Sequence, residues 1–287
     1  MCIRDRLNGY LEKVYSQKRT LFLDEVIRFS HDIIQGIIHL HVLDIVHLDL
    51  KASNIYIGDD GKLVIGDFGQ AKFIKDGIIN NPPNIYPAII PSEANKKKAI
   101  DKTADIYQFG LLLYSMLCYN QYRHSIDNVF KINTANLKAI FQEKSENSEA
   151  LKKEFRVNVK KYFDAVDNSE FPDSKTYPYY VPQELQEIIN KCLAPIDSGR
   201  YNNFYQVQND INKFIFPKDV SNFFQDLETN VIHFTKEDKP CTITINKTKT
   251  KYSINSKKNG QAVNRCCKTD ISETMLRKKM FMFARDI

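Results

Sequence analysis

The sequence predicts a mainly α-helical domain with one short β-hairpin. Residues 21–43 place Val26, Ile27, Ile34, Ile37, Ile38 and His41 at three- and four-residue steps, which is one face of a helix. Residues 103–119 are apolar almost throughout, as in a helix buried on most sides. Between them, the short β-branched runs 55–57 and 63–65 flank Asp59-Asp60-Gly61, a strong hairpin turn.

The elements follow in order. Codons ATG TGT ATA AGA GAC would encode residues 1–5 and resemble a transposon end used in sequencing libraries. Residues 1–6 are therefore expected to be an adapter scar and are set aside from the fold. A short helix is expected over 7–15, then the helix of 21–43 and the hairpin. Residues 80–91, rich in Asn and Pro, predict a loop before the buried helix. The stretch 120–182 is the hardest to read: 144–167 is charged and helix-like, and 171–182, with three prolines and three tyrosines, predicts extended chain or loop. Pro182 suits the first turn of a helix running to Leu193, and a last helix covers about 202–214. Beyond Pro217 come one amphipathic piece, 220–234, a strand-like alternation at 242–254, and a polar, basic remainder. No fixed-period repeat occurs.

With 43% hydrophobic and 26% charged residues, the composition is that of an ordinary soluble globular protein. The longest apolar run, 111–117, is too short to span a bilayer, and no secretory signal opens the chain. The cysteines at 2, 118, 192, 241, 266 and 267 form no C-x-x-C pair and no metal-ligand spacing with histidine. Cys118 and Cys192 sit in apolar helical patterns as small hydrophobes, so a reduced intracellular protein is expected. Lipid attachment at Cys266-Cys267 is the disfavoured alternative. The formal charge of +6 is uneven: from Lys236 onward there are 13 basic against 5 acidic residues, leaving the rest slightly acidic. That basic tail is expected to be solvated and mobile, with an acidic partner or membrane surface as the lesser reading.

The chemistry concentrates in His47-Leu48-Asp49-Leu50-Lys51-Ala52-Ser53-Asn54, followed by Asp67-Phe68-Gly69. Phosphoryl transfer from ATP needs an acceptor hydroxyl held in line and Mg²⁺ to neutralise phosphate charge. Asp49 suits the hydroxyl, and Asn54 and Asp67 offer magnesium hard oxygen ligands. Lys51 puts a positive charge beside the transferring group. A structural reading stands beside each: a lone Asp-Phe-Gly is a turn, and His47 reads as a packed scaffold residue rather than a base.

This string resembles the catalytic loop and metal-binding element of eukaryotic-type protein kinases, including the hairpin between Asn54 and Asp67. Pro91-Ser92-Glu93 resembles the family's Ala-Pro-Glu. Asp105-Ile106-Tyr107-Gln108-Phe109-Gly110 resembles the start of its buried central helix, whose aspartate hydrogen-bonds the catalytic-loop backbone. Lys191-Cys192-Leu193-Ala194-Pro195 and Arg200 resemble the segment whose arginine pairs with the glutamate, which implies a buried Glu93–Arg200 ion pair. His47, Phe68 and Gly69 take scaffold roles by the same resemblance. It covers about residues 7–216, with an insertion within 120–182 and an extension over 217–287 that is basic from 236. Before Leu7 there is no glycine-rich strand–turn–strand, no Val-Ala-Ile-Lys-like strand and no counterpart of the helix glutamate. The resemblance thus implies the mainly α C-terminal lobe of a protein kinase with its N-terminal lobe absent. ATP and Mg²⁺ are the implied cofactors and a protein the substrate, and the chain alone is expected to be inactive.

Two departures bear on regulation. Leu48 replaces the arginine that meets an activation-loop phosphate in the family, and residues 70–91 hold no Ser or Thr. Activity independent of Ser/Thr phosphorylation of that loop is expected, with Tyr86 the one acceptor left. His-Leu-Asp with Lys51 is similar to myosin-light-chain-type and Wee-type kinases. Lys51 favours a Ser/Thr acceptor, although Tyr86 stands where Ser/Thr kinases place a threonine. A pseudokinase used as a binding scaffold is disfavoured by intact Asp49, Asn54 and Asp67. A small-molecule phosphotransferase is disfavoured by Glu93, Asp105 and Arg200.

Overall fold

The computed structural model describes residues 3–80, 83, 85–96, 99–129, 146–168, 170, 177–214 and 216–287. Helix α1 (Leu7–Ser16) buries Leu7, Leu11, Val14 and Tyr15, a single face. Helix α2 (Leu23–Val42) buries Val26, Phe29, Ile33, Ile34, Ile37 and His41, while Ile27 and Ile38 line its flanks partly covered. Asp24 and Glu25 in its first turn match the positive end of its dipole.

Strand β1 (Ile3–Arg6) precedes α1, and β2 (Ile45–Val46) follows α2. Strands β3 (Ile55–Gly58) and β4 (Leu63–Ile65) make the expected hairpin, with Ile55 opposite Ile65. Its turn holds Gly61 at φ 74, a left-handed conformation that glycine adopts without Cβ strain. β1 pairs antiparallel with the free edge of β3, and β2 pairs with β5 (Lys72–Phe73). Helices α3 (Ser92–Asn95), α4 (Thr103–Leu117), α5 (Tyr119–Val129), α6 (Glu146–Asp167), α7 (Gln183–Leu193) and α8 (Phe204–Lys213) follow. Every residue of α4 is buried, so it forms the axis of the helical part. Pro182 occupies the extended cap position before α7, and the Asn203 side chain caps α8 by accepting from Gln206 N.

From Val220 the chain builds an antiparallel sheet of β6 (Val220–Gln225), β7 (Val231–Lys236), β8 (Lys239–Lys247), β9 (Tyr252–Lys258), β10 (Gln261–Ala262) and β11 (Lys268–Ile271). The order is β10-β9-β8-β7-β6, with β11 also on β9. Helix α9 (Glu273–Asp286) ends the chain; Ser272 caps its start and Lys236 Nζ donates to the carbonyls of Ala284 and Arg285 at its end. Ile232, Phe234, Ile243, Ile245 and Ile254 join Leu276, Met280 and Phe283 in the buried core.

The expectation of a mainly α lobe is therefore corrected to a mixed α/β fold. Residues 220–234 are two strands rather than one amphipathic piece, because the turn at Asp226 splits them: Asp226 Oδ1 accepts from Glu228 N at 2.9 Å and Thr229 N at 2.8 Å. The basic tail is folded, not a mobile segment, since alternate residues of β7, β8 and β9, among them Ile232, Phe234, Ile243, Ile245 and Ile254, are buried while Lys239, Lys247 and Lys257 are exposed. Residues 3–6, set aside on sequence grounds, form a strand whose pairing partner lies some fifty positions away. Residues 87–89 make a 3-10 turn within the expected loop. Residues 130–145, 169 and 171–176 of the hard-to-read stretch lie outside the described residues.

Candidate active site

The catalytic-loop segment leaves β2 and is closed by a 3-10 turn at Ala52–Asn54 that leads into β3. Asp49 is 7% exposed. Its carboxylate accepts from Lys51 Nζ at 2.7 and 2.9 Å and from Asn54 Nδ2 at 2.7 Å. Asn54 Nδ2 also donates to Asp49 O at 2.9 Å. The sequence thus brings Asp49, Lys51 and Asn54 onto one carboxylate, and charge assistance makes these the stronger bonds of the loop. The side chain of His47 is a brace: its Nδ1 accepts from Asp49 N at 3.2 Å and its Nε2 sits 3.1 Å from Gly66 O, which assigns the Nε2–H tautomer.

Asp67 follows β4 in the left-handed region, φ 59 and ψ 74, and accepts from Gly69 N at 3.3 Å. Gly66 N donates to Asn54 O at 2.9 Å, which sets Asp67 beside the end of the catalytic loop. No hydrogen bond joins Asp67 to Asn54 among the described residues. The Phe68 ring lies 5.3 Å from the His47 ring and is 49% exposed. For magnesium the donor set fits: Asn54 spends its amide N–H groups on Asp49 and keeps Oδ1, and Asp67 offers a carboxylate. No cluster of three or more His, Cys, Asp or Glu suited to a metal occurs among the described residues.

Around this core, α4 supplies the anchors. Asp105, fully buried, accepts from Leu48 N at 2.8 Å, His47 N at 2.9 Å and His41 Nε2 at 2.8 Å. Glu93 and Arg200 form the implied ion pair, with Nη1 to Oε1 at 2.5 Å and Nη2 to Oε2 at 3.1 Å. Arg200 also donates to the carbonyls of Ala194 at 2.7 Å and Thr103 at 3.3 Å, so the pair is bidentate and its remaining donors are used. Lys51 Nζ stands 5.2 Å over the Tyr86 ring, which places that tyrosine beside the Lys51–Asp49 pair.

Sequence reasoning missed three residues here. Gln108 bonds the backbone on both sides of Asp49. Tyr162 OH, on α6, donates to Ala88 O at 2.9 Å and fastens the 120–182 region to the segment before Glu93. His41 was read only as part of an apolar face. Gln108 had a signal: it is a carboxamide one turn from Asp105 in an otherwise apolar helix. Tyr162 had none, since its partner lies 74 residues away. Burial pushes the phenols of Tyr107 and Tyr162 and the thiols of Cys118 and Cys192 well above their ordinary values. The two thiols are packing groups rather than nucleophiles.

A family model described as protein kinase domain matches residues 2–211. Over 108 residues the chain is 30% identical to the tyrosine-protein kinase Srms of Mus musculus, covering 37% of this chain and 22% of that protein. It is 36% identical over 106 residues to the serine/threonine-protein kinase-transforming protein mos of Moloney murine sarcoma virus, covering 35% and 28%. It is 33% identical over 109 residues to the serine/threonine-protein kinase mos of Gallus gallus, covering 36% and 31%. The matches span between 7 and 32% of the length of the curated relatives. Because the family match begins at residue 2 and takes in the β-rich segment as well as the helices, the recognition of a C-terminal lobe alone is corrected to a protein-kinase domain over 2–211. No helix of the described residues is long and apolar enough to cross a membrane.

Proposed function

Because this chain belongs to the protein kinase family, we propose that the protein carrying it transfers the γ-phosphoryl group of ATP to serine and threonine hydroxyls of protein substrates inside the cell. The observation that carries this reading is the Asp49 carboxylate, gripped by Lys51 and Asn54 at hydrogen-bond distance. Asp49 orients the acceptor hydroxyl and takes its proton as the acceptor oxygen bonds to the γ-phosphorus and the bond to the leaving ADP oxygen breaks. Lys51, already beside Asp49, faces the transferring group with its positive charge. Asn54 Oδ1 and Asp67 would hold Mg²⁺, which when bound would supply positive charge to the phosphate oxygens. Lys51 and the several relatives named as serine/threonine kinases support that acceptor class, while one relative is named a tyrosine kinase. Activity that needs no Ser/Thr phosphorylation of residues 70–91 is part of the proposal.

The intact protein is the unit to assay. Phosphopeptide formation and phosphoamino-acid analysis test the reading. Asp49→Asn is expected to lower turnover by roughly 10²- to 10⁴-fold with nucleotide binding kept. Asp67→Asn is expected to lose magnesium-dependent nucleotide binding. Unchanged turnover in Asp49→Asn would turn the reading toward a binding scaffold, and phosphotyrosine as the sole product would overturn the acceptor class.

A further inference from the structure

Leu48 sits at φ 62, a left-handed conformation that a branched residue keeps only where its surroundings over-determine it. Two side chains of α4, one turn apart on the same face, do so. Asp105 takes the N–H groups of His47 and Leu48, both upstream of Asp49. Among the described residues it makes no hydrogen bond downstream of Asp49. Gln108 does: its Oε1 accepts from Leu50 N at 2.9 Å and its Nε2 donates to Leu48 O at 3.0 Å. The same Nε2 lies 3.4 Å from Ile89 O, on the segment that runs to Glu93. Gln108 is fully buried, as are Leu48 and Leu50, so no water stands ready to replace these bonds.

We propose that Gln108 is a positioning residue for Asp49: its carboxamide locks the peptide groups flanking that aspartate in their strained frame and ties them to the acceptor-side segment at Ile89. The proposal rests on the kinase reading for its consequence and on geometry for its mechanism. A carboxamide is needed because the site presents one donor and two acceptors to a single planar group. A carboxylate would satisfy Leu50 N–H but face the carbonyls of Leu48 and Ile89. Once protonated, it would present the missing donor.

The test compares Gln108→Met, which keeps an unbranched side chain of similar volume, with Gln108→Glu in the full-length protein. In Gln108→Met, kcat is expected to fall on the order of 10- to 100-fold with KM for ATP little changed. Amide hydrogen exchange at Leu50 should accelerate beyond that of the rest of α4's surroundings. In Gln108→Glu, burial and the neighbouring Asp105 raise the new carboxyl's pKa, so the protonated form returns as pH falls. Its kcat relative to wild type should climb as pH is lowered, whereas the Gln108→Met ratio stays flat. A pH slope present in the Gln108→Glu ratio and absent from the Gln108→Met ratio belongs to the introduced carboxyl and its coupling to the groups it faces, His41, His47, Asp49 and Asp105. Wild-type exchange at Leu50 in Gln108→Met, or a flat ratio for Gln108→Glu, overturns the proposal. If the wild-type protein transfers no phosphate, the kinase reading fails, and exchange at Leu50, followed against pH in Gln108→Glu, alone decides whether Gln108 holds the frame.

Discussion

A buried polar group is stable only while its partners stay in place, and the Asp49 neighbourhood is built almost wholly of such groups. Asp105 accepts three hydrogen bonds, and losing it would leave two backbone N–H groups and His41 without their acceptor. The Glu93–Arg200 pair obeys the same logic with charge added, its side chains being 3% and 1% exposed. Replacing Glu93 by Gln leaves a buried guanidinium facing a neutral amide. Such one-sided breaks cost about 3–5 kcal/mol. The double variant E93M/R200M, which removes both charges, is expected to be less destabilised than the sum of E93M and R200M in urea unfolding. Additive losses would mean that the two residues do not act as a pair.

At the level of elements, α4 and α7 meet where glycine removes the side chain. A Cβ at Gly110 would lie 2.6 Å from Cys192 Cβ and 3.1 Å from Leu193 Cγ. The first of these atoms is fixed to a helix backbone and cannot swing aside. Helix propensity alone would make Gly110→Ala stabilising by about 1 kcal/mol. Overpacking predicts the opposite sign, a loss of about 1–3 kcal/mol. A lowered thermal midpoint is expected, and a raised one would show that the helices can part. Strand legibility also varied at this scale. The alternation at 242–254 is real but belongs to two strands, β8 and β9, joined by a turn in which Thr248 N donates to Lys251 O at 2.8 Å. Residues 220–234 hid their turn because Asp226 folds it through side-chain bonds, which hydrophobic period does not register.

Over the whole molecule, the helical part and the C-terminal sheet share one hydrophobic core. Gln225 at the end of β6 exchanges bonds with Thr20, N to Oγ1 at 2.9 Å and O from Thr20 N at 3.0 Å. The Phe22 and Phe224 rings meet edge to face at 5.6 Å. Arg277 on α9 donates to Tyr177 O at 3.0 Å and Pro178 O at 3.1 Å. Calorimetry of the intact chain is therefore expected to show a single cooperative transition, and removal of 217–287 should lower the midpoint and expose apolar surface to dye. Two separate transitions would show that the sheet folds on its own.

The residues that carry the proposed chemistry are legible in the sequence alone. Asp49, Lys51 and Asn54 lie within six positions and Asp67 is one hairpin away, so local chain geometry brings them to one end of the hairpin, and their types point to the proposed phosphoryl transfer. The helices were legible for the same reason, since a face with a 3.6-residue period is a local property. What each face meets depends on contacts between distant segments. Gln108 finds Leu50 across 58 positions, Tyr162 finds Ala88 across 74, and β1 finds β3 through backbone groups that carry no side-chain signature. Hydrogen bonds to backbone are blind to the partner's residue type, so closure between distant segments leaves little trace in either one.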